Sequence, residues 1–266
     1  GTKGDIQMGF YAMGSHDIVQ GTNCPIQDEG NNIIAQACYQ IAKEFDIEPY
    51  DEHTGKGVLR HIIGRIGQSG WMIILVTATE QLPHKEKWVE KLTERIPQVE
   101  TIVHNVNGKR TNVILGPKNN ILYGDGTITD HIKDLQFTLS PHSFFQVNPE
   151  QTTVLYDQAL EYADLKGDET VIDAYCGTGT ISLFLAHKAK HVIGIEIVEP
   201  AIINARENAQ RNGYDNTEFI VGDAAVEMPK LYKAGVRPDV IVFDPIRAGC
   251  KEEVLTSAAG MEPKRI

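Results

Sequence analysis

Along the first 140 residues the apolar positions change period several times. Short alternating stretches at 7–12 and 16–20, joined through Met13-Gly14-Ser15, predict a hairpin. Ile33, Ile34, Ala37, Cys38, Ile41 and Phe45 recur at helical spacing and predict a helix over 32–45. Strands are expected at 58–66 and 71–77 around the turn Gly67-Gln68-Ser69-Gly70. A helix over 84–95 is bounded by Pro83 and Pro97, since proline ends a helix more readily than it continues one. Strands near 101–106, 121–123 and 127–132 should complete a small, mostly antiparallel sheet.

From about Ser140 the pattern becomes a strict alternation. It predicts a helix over 150–162, a strand at 170–174, a helix at 180–187, a strand at 191–197 and a helix at 201–211. Strands at 218–221 and 240–243 and a helix at 252–259 follow. Short buried strands alternating with helices pair in parallel, so this half is expected to be a doubly wound α/β sheet. The run Met261-Glu262-Pro263-Lys264-Arg265-Ile266 reads as the lead-in to one more strand, which makes the predicted sheet incomplete. Two domains follow: an α+β unit over 1–140 and an α/β unit over 141–266.

Composition narrows the class without changing this picture. Of 266 residues 41% are apolar and 23% charged, an ordinary soluble balance, and a chain of this length buries a core without staples. No stretch approaches the roughly 18 apolar residues of a membrane helix, and the start, GTKGDIQMG, has no apolar signal core. Neither a membrane nor an exported protein is expected. Cys24, Cys38, Cys176 and Cys250 form no C-x-x-C pair, which argues against a disulfide framework or a self-contained zinc site and for a cytoplasmic location. Twenty-five basic residues against 36 acidic ones give a net charge of −11, and acidic residues outnumber basic ones in both halves. Any nucleic-acid partner must therefore be held by a local patch or by residues outside this sequence.

The chemistry concentrates at the ends of the predicted parallel strands. Val171-Ile172-Asp173-Ala174 runs into Tyr175-Cys176-Gly177-Thr178-Gly179-Thr180, a strand, a glycine turn and a helix start. Glycines there let a ligand approach the backbone, and the helix start offers free N–H groups. The next strand ends in Gly194-Ile195-Glu196, about twenty residues on, where a carboxylate can accept from both hydroxyls of a ribose. The following strands end in Gly222-Asp223 and Asp244-Pro245. Ligands in such sheets sit outside the carboxyl ends of the strands, so Tyr175, Glu196, Asp223 and Asp244 converge on one crevice. Ile181-Ser182 stands where a dinucleotide fold would carry its third glycine, which disfavours a pyrophosphate cradle.

An Asp-x-x-x-Gly-x-Gly loop with a Glu on the next strand resembles the class I S-adenosylmethionine-dependent methyltransferases. The resemblance narrows to the RNA (uracil-5-)-methyltransferase family, on Gly9-Phe10-Tyr11 with Ser15-His16, Leu59-Arg60-His61, Ser143-Phe144-Phe145-Gln146-Val147-Asn148, the 173–180 loop, Gly194-Ile195-Glu196 and Asp244-Pro245-Ile246-Arg247-Ala248-Gly249-Cys250. It implies a Rossmann-like methyltransferase domain, S-adenosyl-L-methionine as cofactor, and an RNA partner, ribosomal RNA ahead of transfer RNA, with no DNA expected. The family's cofactor contacts fall on Gln146, Tyr175, Glu196 and Asp244, with Asp223 near the adenine and Gly177, Gly179 and Thr180 in the loop. Ile246 replaces the family's second proline. Arg247 either pairs with Asp244 or binds the target uracil or its phosphate. His16, Arg60, His61 and Arg65 are either RNA-facing or ordinary exposed strand residues.

The family's reaction is covalent: a cysteine thiolate adds to carbon-6 of uracil, carbon-5 takes the methyl group, and a base removes the carbon-5 proton. That cysteine lies in a Ser-Cys-Asn-Pro motif after the Pro-Lys-Arg-Ile segment, so it is expected beyond Ile266, and an RNA-binding barrel is expected before Gly1. No catalytic residue is assigned within the chain. Cys24-Pro25-Ile26 matches the last of four cysteines that hold an iron–sulfur cluster in some members; the other three are absent here, and no metal is expected. Two other functions fit the same residues: a methyltransferase of an exocyclic amine or another acceptor, or a catalytically silent RNA-binding module. A nicotinamide dehydrogenase fits least.

Overall fold

The computed structural model describes residues 5–21, 23–146 and 148–266. They form two compact units, residues 1–129 and 130–266.

In the first unit β1 (Gly9–Tyr11) and β2 (Ile18–Gln20) make the expected antiparallel hairpin, with Phe10 opposite Val19. Helix α1 (Glu29–Glu44) begins at Asp28, whose carboxylate accepts from the Gly30 N–H at 2.7 Å, and carries Glu29 in its first turn and Lys43 in its last. Strands β3 (Leu59–Ile66) and β4 (Trp71–Thr77), helix α2 (Lys85–Arg95), and strands β5 (Val99–Val106) and β6 (Lys118–Tyr123) complete the unit. The sheet order is β3-β4-β5-β6. Its outer pairs are antiparallel, but β4 and β5 run parallel because α2 carries the chain back across the sheet between them. Trp88 and Leu92 of α2 and Ile34, Cys38 and Ile41 of α1 pack with Ile73 and Leu75 of β4 in one buried cluster.

Strand β7 (Ile128–Ile132) does not join that sheet as expected. It pairs with β8 (Leu135–Leu139), which the apolar pattern did not reveal, in a separate two-stranded ribbon. The second unit continues with α3 (Pro149–Ala163), β9 (Thr170–Ala174), α4 (Thr180–Ala186), β10 (His191–Glu196), α5 (Glu199–Arg211), β11 (Thr217–Val221), α6 (Ala224–Lys233), β12 (Val240–Phe243) and α7 (Glu252–Met261). The ribbon belongs with this unit because α5 holds it: Asn208 Oδ1 accepts from the Thr138 N–H at 2.8 Å, and Asn212 exchanges hydrogen bonds with both backbone groups of Gln136. That is why the two units part near Thr129 and not at residue 140.

The main sheet of the second unit has the order β11-β10-β9-β12 and is parallel throughout. Helix α6 was not expected; Pro229 inside it broke the apparent pattern, yet Asp223 caps its start and Lys230 and Lys233 stand in its last turn. Past α7 the chain runs beside β12: the Ile241 N–H donates to Arg265 O, and Val240 and Arg265 form a parallel bridge. Ile172, Ile193, Ile195 and Ile241 pack on one side of this sheet against Met228, Val254 and Met261, and Val171, Val192 and Val240 pack on the other against Leu185 and Leu165.

Asn208 has no exposed surface and ties three parts of the unit together, since its amide also donates to Thr178 O in the loop after β9 at 3.2 Å. Asn208→Ala strands a buried N–H and a buried carbonyl. The variant is expected to lose about 2–4 kcal/mol of unfolding free energy in a denaturant titration; a loss within about 0.5 kcal/mol, the range of surface substitutions, would contradict this role.

Candidate functional site

The carboxyl ends of β9, β10, β11 and β12 face the same way because the sheet is parallel, and the predicted residues gather there. Residue pairs Asp173–Gly194 and Ala174–Ile195 sit side by side across β9 and β10, while Val242 and Phe243 of β12 lie beside Asp173 and Ala174. Glu196 therefore ends β10 level with the turn that leaves β9. Its Oε2 accepts from the Gly177 N–H at 3.2 Å and its Oε1 from the Val198 N–H at 2.9 Å.

The loop itself is held in an uncommon conformation. Tyr175 lies at φ 92°, a region that side-chain-bearing residues rarely occupy and that marks strained, functional turns. Its N–H and that of Cys176 both donate to Ile195 O at 2.9 Å. Gly177 and Gly179 also have positive φ, for different ends. A Cβ on Gly179 would meet Ala205 Cβ at 3.1 Å and the Phe219 ring at 3.2 Å, so this glycine lets the loop pack on α5 and β11. A Cβ on Gly177 would meet nothing within 4 Å, so this glycine leaves the crevice side of the loop open.

Asp173 is the unusual group. It has no exposed surface; Oδ2 accepts from the Ser182 hydroxyl at 2.6 Å, and buried Oδ1 has no hydrogen-bond partner. Burial, together with the charges of Asp244 and Glu196 and against the Ser182 bond, pushes its carboxyl up to about 7. A buried carboxyl oxygen without a partner favours the neutral acid, in line with that upward shift.

Asp223 caps α6 through Oδ1 and the Ala225 N–H, and its Oδ2 accepts from the Lys251 ammonium at 2.6 Å. Lys251 first, then the Ala225 N–H, hold its carboxyl below the usual carboxylate range. Tyr175 meets Cys250 through its hydroxyl and is pushed up to about 12, by burial first and then by the Cys250 thiol. Gln146 lies against the hydroxyl of Tyr156, which bonds to Thr180 Oγ1 at 3.1 Å. Sequence reasoning did not single out Tyr156, Ser182 or Lys251: each acts through a long-range contact that has no motif. Asp244 and Arg247 are both exposed, and among the described residues no ion pair joins them.

The four residues expected at an RNA-facing surface of the first unit fare differently. Arg60 is turned inward, with its side chain 2% exposed. It is bonded to both oxygens of Glu52 and to the carbonyls of Asn107, Lys109 and Thr111. Desolvation of that guanidinium is offset by the fork of acceptors around it. His61 is half-buried and lowered to about 4, first by burial and then by Arg60, and Arg65 is half-buried as well. Only His16 is exposed, edge-on to Tyr11 with ring centres 5.2 Å apart. Burial pushes the thiols of Cys38 and Cys176 upward, which leaves both protonated and unreactive. Among the described residues no group of three His, Cys, Asp or Glu side chains is placed to hold a metal ion, and no helix is long and apolar enough to cross a membrane.

This glycine loop, parallel order and row of strand-end acids define the class I α/β fold of S-adenosylmethionine-dependent methyltransferases. Residues 165–262 match the family model described as "Methyltransferase domain". The chain is 51% identical over 266 residues to an uncharacterized RNA methyltransferase of Halalkalibacterium halodurans, covering 99% of this chain and 58% of that protein. It is 49% identical over 269 residues to an uncharacterized RNA methyltransferase of Clostridium acetobutylicum, again covering 58% of that protein. The chain thus spans somewhat over half the length of these curated relatives. Among solved structures it is similar to the Pyrococcus abyssi tRNA (uracil-54, C5)-methyltransferase in complex with S-adenosyl-L-homocysteine. The TM-score is 0.79 at 25% identity, over 97% of this chain and 61% of that one.

The state of Asp173 fixes a pH dependence. Its carboxyl rises on folding from the ordinary 3.8 to about 7, so between these values the folded chain holds a proton that the unfolded chain has released. Its contribution is complete below about pH 4 and disappears as pH rises through 7. The stability advantage of Asp173→Asn over the native chain is expected to grow across that window, by up to about 1.4 kcal/mol per pH unit, and to level off above it. Urea titrations at several pH values measure this, and a difference independent of pH would contradict it.

Proposed function

We propose that this chain is the S-adenosylmethionine-binding part of an RNA methyltransferase that acts on carbon-5 of a uridine. The observation that carries the cofactor reading is Glu196 at the end of β10, level with a glycine loop whose crevice side is open at Gly177. In this reading Glu196 accepts from the ribose hydroxyls, which a carboxylate with two acceptor oxygens does well. Asp223 lies next along the sheet toward β11, on the adenine side, and Asp244 lies beyond β9 on the other. Thr180 stands at the loop's helix end with Gln146 near it across the Tyr156 hydroxyl, and Tyr175 opens the loop. When bound, S-adenosylmethionine supplies a methyl group on a sulfonium, and the acids around Asp173 favour that positive charge.

The uridine part of the reading rests on the Phe-Phe-Gln-Val-Asn and Asp-Pro-Ile-Arg-Ala-Gly-Cys stretches and on the likeness to the Pyrococcus enzyme. RNA is the substrate class, and Arg247, exposed at the end of the Asp244 loop and without an ion pair among the described residues, is the residue assigned to the target nucleotide or its phosphate. Carbon-5 of uracil needs covalent activation. Buried Cys38 and Cys176 cannot provide it, and Cys24 and Cys250, both partly exposed, lie in no Ser-Cys-Asn-Pro motif, where the family resemblance puts the nucleophile.

Two measurements test the proposal. Calorimetry should show S-adenosylhomocysteine binding to the chain and a loss of about tenfold or more in Glu196→Ala, the equivalent of a charge-assisted hydrogen bond; equal binding, or none in either, would remove the cofactor reading. A protein containing this chain within the full length of its relatives should form a denaturation-resistant adduct with RNA carrying 5-fluorouridine. Methyl transfer without an adduct would favour an amine acceptor instead.

A further inference from the structure

Tyr156 belongs to no cofactor motif, yet it connects two residues that do. It lies on α3, is 3% exposed, and packs edge-on against Phe184 of α4 with ring centres 5.1 Å apart. Its hydroxyl contacts Thr180 Oγ1 at 3.1 Å, and the Gln146 side chain lies beside it. One phenol thus ties the segment before α3, where Gln146 sits, to the first residue of α4. An arrangement in which Tyr156 accepts from the Gln146 amide and donates to Thr180 satisfies all three groups and leaves the Thr180 proton to donate into the crevice.

The sheet order says which end of a ligand this reaches. Glu196 ends β10 and Asp223 follows β11, on one side; Thr180 follows β9 and Asp244 follows β12, on the other. With the adenine on the Asp223 side, as in the cofactor reading above, a nucleoside whose ribose lies on Glu196 puts its amino-acid end on the side of Thr180 and Gln146. The phenol stands on that same side through its contact with Thr180.

We propose that Tyr156 is a positioning residue for the amino-acid end of the cofactor, its hydroxyl fixing Gln146 and Thr180 in the orientation that grips that end. This rests on the cofactor reading above. A free Gln146 would sample several rotamers, and the loss of that freedom on binding would weaken affinity.

The probes are S-adenosylhomocysteine, which has the amino-acid end, and 5′-methylthioadenosine, which lacks it. In Tyr156→Phe the ring and its contact with Phe184 are kept, so the melting temperature should hold within about 2 °C. Affinity for S-adenosylhomocysteine should fall about tenfold, the equivalent of one hydrogen bond, while that for 5′-methylthioadenosine changes less than about twofold. Gln146→Leu should cost affinity in the native background and much less in Tyr156→Phe. Equal losses for both ligands, no loss for either, or additive effects of the two substitutions would overturn the proposal. Failure of the native chain to bind either ligand would overturn the cofactor reading and this role together; native binding with an unaffected Tyr156→Phe would overturn this role alone.

Discussion

The register between β9 and β10 is the constraint on which the site depends. It sets Ile195 beside Ala174, so that Glu196 emerges level with Gly177 and the loop's N–H groups at 175 and 176 find Ile195 O. A slip of one residue would turn the apolar side chains of β10 to the opposite face and move the carboxylate off the loop. A slip would also bring a β-branched side chain to the place of Gly194, where a Cβ would meet the Phe219 ring at 2.6 Å and Cys176 Sγ at 2.9 Å, which makes it costly. Core packing and site geometry are therefore the same fact: the residues that fill the sheet fix the distance between a glycine loop and an acid.

Electrostatics then gives the crevice its character. Asp173, Glu196 and Asp244 belong to three adjacent strands and the charges of the latter two act on Asp173, while the Lys251 ammonium pairs with Asp223 farther along the sheet. Burial raises the Asp173 carboxyl to about 7, which lessens the repulsion that three full charges would cause. A cation entering the crevice would be met by carboxylates that have few competing partners. The net charge of −11 is in part a record of this arrangement.

Much of this was legible in the amino-acid sequence, and the gaps have physical reasons. Strand and helix alternation after Ser140 has one periodicity per element, and β9 and β12 appear where the apolar runs place them. Helix α6 was hidden because Pro229 lies inside it, although its cap and its basic last turn compensate. Strand β8 was hidden because its partner groups are the side chains of Asn208 and Asn212, seventy or so residues away, which no local pattern reports. The Arg60 reading failed for a related reason: an arginine on a strand looks exposed until Glu52 and three loop carbonyls close around it. Motif residues such as Glu196 can be named from spacing alone, but Tyr156 and Ser182 enter only through contacts made across the fold.

A crystal structure of the chain with S-adenosylhomocysteine decides whether the strand-end crevice binds the cofactor with its adenine toward β11 and its amino acid toward β12. The ribose hydroxyls should lie on the Glu196 carboxylate, the glycine loop against the ligand at Gly177, and the amino-acid end beside Thr180 and Gln146. A ligand bound away from Glu196, or lying in the opposite direction along the sheet, would contradict it.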